Sequence, residues 1–162
     1  MLAVDPFYFG ESKILKRDYL FALLVSTLGD RPLGIQASQL TATARWLKDG
    51  HENVPVKIVA IGPRSSLISL VAAALEPTAI DRVELHGSFG SLREVIEQDR
   101  TVKDDPELFC FGLLEAFDIK QLVALVAPRP VVFVEPTDRA RGELAELKTF
   151  YSNLGVEFSP LP

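Results

Sequence analysis

The sequence predicts an α/β fold, a three-layer domain in which a parallel sheet has helices on both faces. Two observations indicate this class. Apolar stretches of strand length alternate with stretches of helical length, and the connections between them are short. The chain has 162 residues, of which 48% are hydrophobic and 24% charged, enough to form one core. We find no repeat or linker and therefore expect a single domain over residues 1–162.

The predicted strands differ in their apolar character. The stretch 56–61 is apolar except for Lys57, which is typical of a strand buried on both faces. The stretch 82–85 is less apolar, which favours a position nearer the edge of the sheet. Short strands are also predicted at 2–5, 130–134 and 156–158.

Helices are predicted between these strands from apolar spacing and from residues that begin or end helices. Pro32 is suited to a first helical turn and Gly50 to a helix end, so the stretch between them is predicted to be helical. Gly155 is placed to end a helix over 141–153. The other predicted helices are 18–28, 67–75, 92–98, 108–117 and 119–126.

Composition and missing motifs exclude several function classes. The formal charge of −5 and the absence of a basic stripe argue against nucleic-acid binding. The longest apolar runs are too short to span a bilayer and the N-terminus has no signal-like pattern, so we expect a soluble chain without a membrane partner. No metal or cofactor motif is present, and Asp104, Asp105 and Glu107 are expected in a solvated loop. We therefore predict no cofactor and no metal.

The most informative stretch is Val-Lys-Ile-Val-Ala-Ile-Gly-Pro-Arg-Ser-Ser at 56–66, a strand that runs through a glycine turn into a helix. It resembles the turn at which α/β-hydrolases hold a nucleophilic serine in the pattern G-x-S-x-G. In this frame the middle position of Gly62-Pro63-Arg64-Ser65-Ser66 is Arg64. A guanidinium stays protonated and cannot attack a carbonyl group.

Three further segments extend the resemblance to the acetyl xylan esterase-like and prolyl-oligopeptidase-type branch of α/β-hydrolases. Residues 2–12 resemble a strand and loop of the type D-x-R-G-x-G-E-S, and residues 31–47 resemble the helix before the nucleophile turn. Residues 117–138 resemble the strand and loop that hold the acid of the triad. The resemblance covers nearly the whole chain but only the central and C-terminal part of the family domain. The oxyanion loop and the final histidine of that domain have no counterpart here.

The resemblance implies candidate catalytic residues, each with a structural alternative. Ser65 or Ser66 would be the nucleophile in a shifted frame, or else a residue that satisfies backbone N–H groups at a helix start. Asp138 matches the acid position but also suits a turn or helix cap. His86, at the carboxyl edge of the sheet, is a candidate base or a packed loop residue. His51 is expected on the surface at the opposite edge.

Arg64 itself suggests a second kind of site. A guanidinium beside the first N–H groups of a helix resembles an anion-binding site. The alternative is that Arg64 pairs with a carboxylate such as Glu135 or Asp138.

Two functions follow as expectations. The first is a relative of carboxylic esterases, with an acetylated carbohydrate or small ester as ligand, inactive as an isolated chain because the nucleophile is replaced and no base histidine follows. The second is a non-catalytic binding or assembly module that retains the fold. We further expect residues 2–5 to pair in parallel with residues 56–61 in a sheet of about five strands. Self-association through the first strand is the secondary expectation.

Overall fold

The computed structural model describes residues 1–14, 16–50 and 54–161. His51 lies outside the described residues. The described residues form three strands, β1 (Lys57–Ile61), β2 (Arg82–His86) and β3 (Val131–Val134). The helices are α1 (Asp18–Thr27), α2 (Pro32–Gly50), α3 (Pro63–Leu75), α4 (Glu94–Glu97), α5 (Leu113–Ala116), α6 (Ile119–Val126), α7 (Asp138–Ala145) and α8 (Lys148–Asn153). Short 3-10 helices occupy Gly10–Ser12 and Pro106–Phe109.

The three strands form one parallel sheet in the order β1-β2-β3. The prediction of a small α/β fold with a parallel sheet is confirmed. The predicted strand positions are wrong in one respect, because β2 is the central strand and β1 lies at the edge. Glu84, which made β2 look like an edge strand, pairs with Lys57 of the neighbouring strand.

Two predicted strands are not formed. Residues 2–5 have no regular secondary structure and do not pair with β1, and the described residues hold three strands instead of about five. Residues 156–158 also lack strand structure, although Phe133 and Val131 of β3 bond further along this segment, to Pro160 O at 3.1 Å and Ser159 Oγ at 3.3 Å. The direct closure of the first segment onto β1 is therefore wrong. A groove separates them.

Most predicted helices are present, and two are divided. The helices predicted from Pro32 and over 119–126 are confirmed. The helix expected over 108–117 is a 3-10 turn and the short α5, separated by Cys110 to Gly112. The helix expected over 141–153 is split into α7 and α8 by a tight turn at Glu146 and Leu147.

The core lies between the sheet and α3, which contacts β1 and β2 and is flanked by α2 and α6. One face of the sheet is buried through Ala60, Val83, Leu85, Val131 and Phe133. The opposite face is uncovered at β1, where Val59 and Ile61 are 52% and 79% exposed. Among the described residues no helix has the length and apolar character needed to cross a membrane.

Candidate functional site

The carboxyl ends of the three strands meet at one edge of the sheet, where open α/β folds place ligands. Ile61 lies beside His86, and His86 beside Val134. The next residue of each strand has a left-handed backbone, with φ of 91° at Gly62, 61° at Gly87 and 50° at Glu135. The chain therefore turns sharply away from the sheet at three adjacent points.

The turn between β1 and α3 is built around Gly62. Its N–H donates to the backbone oxygen of His86 at 2.7 Å, and its own carbonyl oxygen accepts from Ser66 N at 3.1 Å. Pro63 begins α3, as predicted. The strained backbone position is Gly62, whereas Arg64 is the second residue of the helix. The strained position of this turn therefore carries no side chain.

Arg64 is held by a buried carboxylate. Its Nε donates to Glu107 Oε1 and its Nη2 to Glu107 Oε2 at 3.1 Å, while Asp105 Oδ1 lies 3.8 Å from Nε. The guanidinium also lies over the ring of Phe9, 4.5 Å from its centre. The carboxylates beside Arg64 are thus Glu107 and Asp105. The partners suggested from the sequence, Glu135 or Asp138, are not the ones in these pairs.

The prediction that Asp104, Asp105 and Glu107 form a solvated loop is wrong for two of the three. Asp105 is 4% exposed and Glu107 fully buried, whereas Asp104 is exposed. Arg100 Nη1 donates to Asp105 Oδ2 at 2.8 Å. Two arginines and two acids thus form an ion-pair cluster, which is the condition under which charges are found inside proteins.

The two serines lie side by side at the start of α3 in different surroundings. Ser65 is partly exposed, and its hydroxyl donates to the carbonyl oxygen of Ile61 at 2.6 Å. Ser66 is fully buried, and its hydroxyl has no hydrogen-bond partner among the described residues. The alternative to a catalytic role was a residue that satisfies backbone N–H groups at a helix start. Each serine does lie in the first turn of α3, but in the contacts described neither hydroxyl accepts from a backbone N–H group.

His86 and Asp138 lie at the carboxyl edge in separate surroundings. His86 Nε2 is 3.0 Å from Glu84 Oε1, and Glu84 Oε2 is 2.6 Å from Lys57 Nζ. The hydrogen bond from Lys57, with a further contribution from His86, lowers the pKa of Glu84. Asp138 is exposed in the first turn of α7, where Thr137 is the cap and accepts from Ala140 N at 3.2 Å. The catalytic roles of Ser65, Ser66, His86 and Asp138 stay predictions.

Asp118 is a structural residue that was not among those predicted from the sequence. Its carboxylate accepts from Ser91 Oγ at 2.6 Å, Leu92 N at 2.6 Å and Ile119 N at 2.7 Å. It caps α6 in a capping box with Gln121 and fixes the loop that follows β2. The spacing Asp-x-x-Gln before an apolar run was the available signal.

An apolar groove of about 380 Å³ runs along the outer edge of β1. The strand lines one side and the segment from Leu2 to Pro6 the other, while α2 and α3 contribute further lining side chains. No pattern in the sequence predicts this groove. In the described part of the chain, no three His, Cys, Asp or Glu side chains are grouped so that they could hold a metal ion.

Comparison with family models, with curated proteins and with solved structures gave no match.

Proposed function

We propose that this chain is a hydrolase-like α/β module, related to acetyl xylan esterase-like carboxylic esterases, that serves in binding or assembly and does not hydrolyse esters by itself. The relationship rests on the sequence resemblance, with the parallel sheet and the β1-turn-α3 unit as support. We take the three parallel strands and their helices to correspond to one part of the three-layer hydrolase architecture.

The observation that carries the proposal is that the contacts described for Ser65, Ser66 and His86 include no pair of nucleophile and base. The Ser65 hydroxyl donates to a carbonyl oxygen, and Ser66 is buried. His86 bonds to Glu84, two residues earlier in its own strand. A serine nucleophile is weak unless an adjacent base takes its proton. The contacts described here give neither serine such a base.

Hydrolysis of 4-nitrophenyl acetate and labelling by a fluorophosphonate test the proposal. We expect no turnover above the buffer rate and no labelled serine. Ser65→Ala should be indistinguishable from the wild type, and Arg64→Ser should gain no activity because a serine without its base does not restore a triad. A burst of acyl-enzyme, or labelling that disappears in Ser65→Ala, would refute the proposal.

A second candidate is ester hydrolysis completed by another polypeptide segment. The observation that favours it is the position of Ser65, in the first turn of α3 just after β1, and of His86, the last residue of β2, with Ile61 and His86 in register. Small acetate esters or acetylated carbohydrate would be the substrates. Activity that appears only with an added polypeptide and requires both residues would support this candidate.

A further inference from the structure

The outer edge of β1 carries backbone groups that point away from the sheet. Gly62 N and Val56 O both bond to the β2 side, to His86 O and Asp81 N respectively. Because the backbone groups of a strand alternate in direction, the even-numbered residues of β1 face β2 and the odd-numbered ones face outward. The outward groups are therefore the N–H and C=O of Lys57, Val59 and Ile61.

One of these six groups has a partner among the described residues, since the carbonyl oxygen of Ile61 accepts from Ser65 Oγ. The other five face the groove along β1 without a hydrogen-bond partner in the described part of the chain. An unpaired strand edge of this kind is a template for another strand.

The groove offers an extended segment contacts on three sides. β1 lines one wall along its whole length, and Leu2, Val4 and Pro6 line the other. The second wall is fixed to α2, because Gln36 Nε2 donates to Phe7 O and Gln39 Oε1 accepts from Phe7 N, both at 2.8 Å. The further lining side chains from α2 and α3 include Leu40, Ala44 and Ile68.

The charge of the lining indicates the chemistry of the occupant. Among the described residues that line the groove, Lys57 alone is charged, and its ammonium is paired with Glu84 at 2.6 Å. Two of the devices that normally prevent strand addition are missing from β1, since the strand contains no proline and its Lys57 is engaged with its own sheet. An uncharged, apolar segment fits this lining, whereas a charged one would lose its hydration without gaining a partner.

We propose that the edge of β1 binds an extended segment of another polypeptide, uncharged and with apolar side chains at alternate positions, which adds a fourth strand to the sheet. This inference rests on the proposed binding function and names its site and partner. The groove volume also lies within the range of small-molecule sites. The five open peptide groups along one wall favour a polypeptide, because an apolar small molecule would leave them unpaired.

The test uses the fluorescein-labelled peptide Lys-Thr-Val-Thr-Val-Thr-Val-Lys as the probe, in which six uncharged central residues represent the segment and the terminal lysines, beyond the five-residue strand β1, keep the peptide in solution. We expect saturable binding by fluorescence anisotropy. Amide hydrogen exchange at Lys57, Val59 and Ile61 should slow at least tenfold on binding, while the amides of Ile58 and Ala60 are protected with or without the probe.

Two variants test whether the probe binds at the edge of β1. Val59→Pro removes one outward N–H and leaves the hydrogen bonds to β2 intact, and should weaken probe binding at least tenfold, whereas Val59→Thr should bind like the wild type. Thr43→Arg fills the groove from α2 and should also abolish binding, which keeps the test valid if the proline variant does not fold.

No saturable binding, binding without slower exchange at the outward amides, or equal binding by folded Val59→Pro would overturn the inference. A hydrophobic dye that binds the Val59→Pro variant but not Thr43→Arg would assign the groove to small apolar molecules and would also overturn it. Ester turnover by the free chain, in contrast, would refute the proposed function and leave a positive peptide result standing.

Discussion

The carboxylate of Glu107 accepts two hydrogen bonds from the guanidinium of Arg64, and the two residues are 43 positions apart in the chain. Glu107 is fully buried, so this pair ties the 3-10 turn Pro106–Phe109 to the start of α3. Such geometry is typical of a strong charge-assisted pair. The structural consequence is that the turn beside the carboxyl edge of the sheet is held in place by Arg64.

Removing Arg64 should leave an uncompensated buried charge on Glu107. We expect Arg64→Met to lower the free energy of unfolding by about 3 to 5 kcal/mol, measured by urea denaturation. The double variant Arg64→Met, Glu107→Gln should recover part of this loss, because the unpaired charge is then absent. Additive effects of the two substitutions would contradict a direct coupling between these residues.

The ion pair between Arg64 and Glu107 also predicts how sulfate affects thermal stability. The Glu107 carboxylate accepts from two N–H donors of the guanidinium, and an external anion would need these same donors. We therefore expect 50 mM sulfate, compared at equal ionic strength with chloride, to raise the melting temperature no more in the wild type than in Arg64→Ala. A sulfate effect that is lost specifically in Arg64→Ala would support the anion site predicted from the sequence.

Sequence reasoning succeeded where the signal is local. Helix α2 follows from Pro32 and Gly50, and α6 from its apolar spacing, because these features act within one or two turns. The edge position of β1 was missed because strand order depends on partners distant in sequence. The burial of Glu107 was missed for the same reason. An acidic stretch looks solvated until its arginine partner is placed beside it.

Acid should destabilise the protein through Glu76. This buried carboxylate accepts from Thr78 Oγ1 at 2.6 Å, from Thr78 N and Ala79 N at 3.0 Å, and from Arg45 Nε. The hydrogen bonds from Thr78, followed by those from Ala79 and Arg45, lower the pKa of Glu76 from 4.5 to about 2. Because the folded pKa is the lower one, its stabilisation is present above pH 4.5 and is lost as the pH falls toward 2.

Urea denaturation between pH 7 and pH 2 measures this dependence. We expect the stability of Glu76→Gln to be lower at pH 7 and to fall less steeply between pH 4.5 and pH 2 than that of the wild type. Parallel pH curves for the two proteins would show that other groups dominate the acid sensitivity.

Two aspartates at helix starts should differ in their importance. Asp118→Ala removes the acceptor of three hydrogen bonds, including those from Ser91 and Leu92 in the loop after β2. We expect a loss of about 2 to 3 kcal/mol in the free energy of unfolding. Asp138→Ala is the matched control, and its exposed position in the first turn of α7 predicts a loss of at most about 1 kcal/mol. Equal losses would contradict the structural assignment of Asp118.

Gly90 is the point at which the loop after β2 meets the start of α7. A Cβ atom at this position would lie 2.5 Å from both the N and the Cα of Ala140 and 2.9 Å from the carbonyl carbon of Arg139. These are backbone atoms of α7, so the helix itself would have to move. We expect Gly90→Ala to lower the free energy of unfolding by about 2 to 3 kcal/mol in urea denaturation.

Gly142, in the same helix, is the control for this substitution. A Cβ atom there would meet nothing within 4 Å, and alanine is the better helix former, so Gly142→Ala should stabilise the protein by up to about 1 kcal/mol. The two substitutions should therefore change the free energy of unfolding in opposite directions. The contact at Gly90 holds the start of α7, where Asp138 lies, against the loop that follows His86. Equal stability of Gly90→Ala and the wild type would contradict the close contact between Gly90 and the backbone of Ala140 at the start of α7.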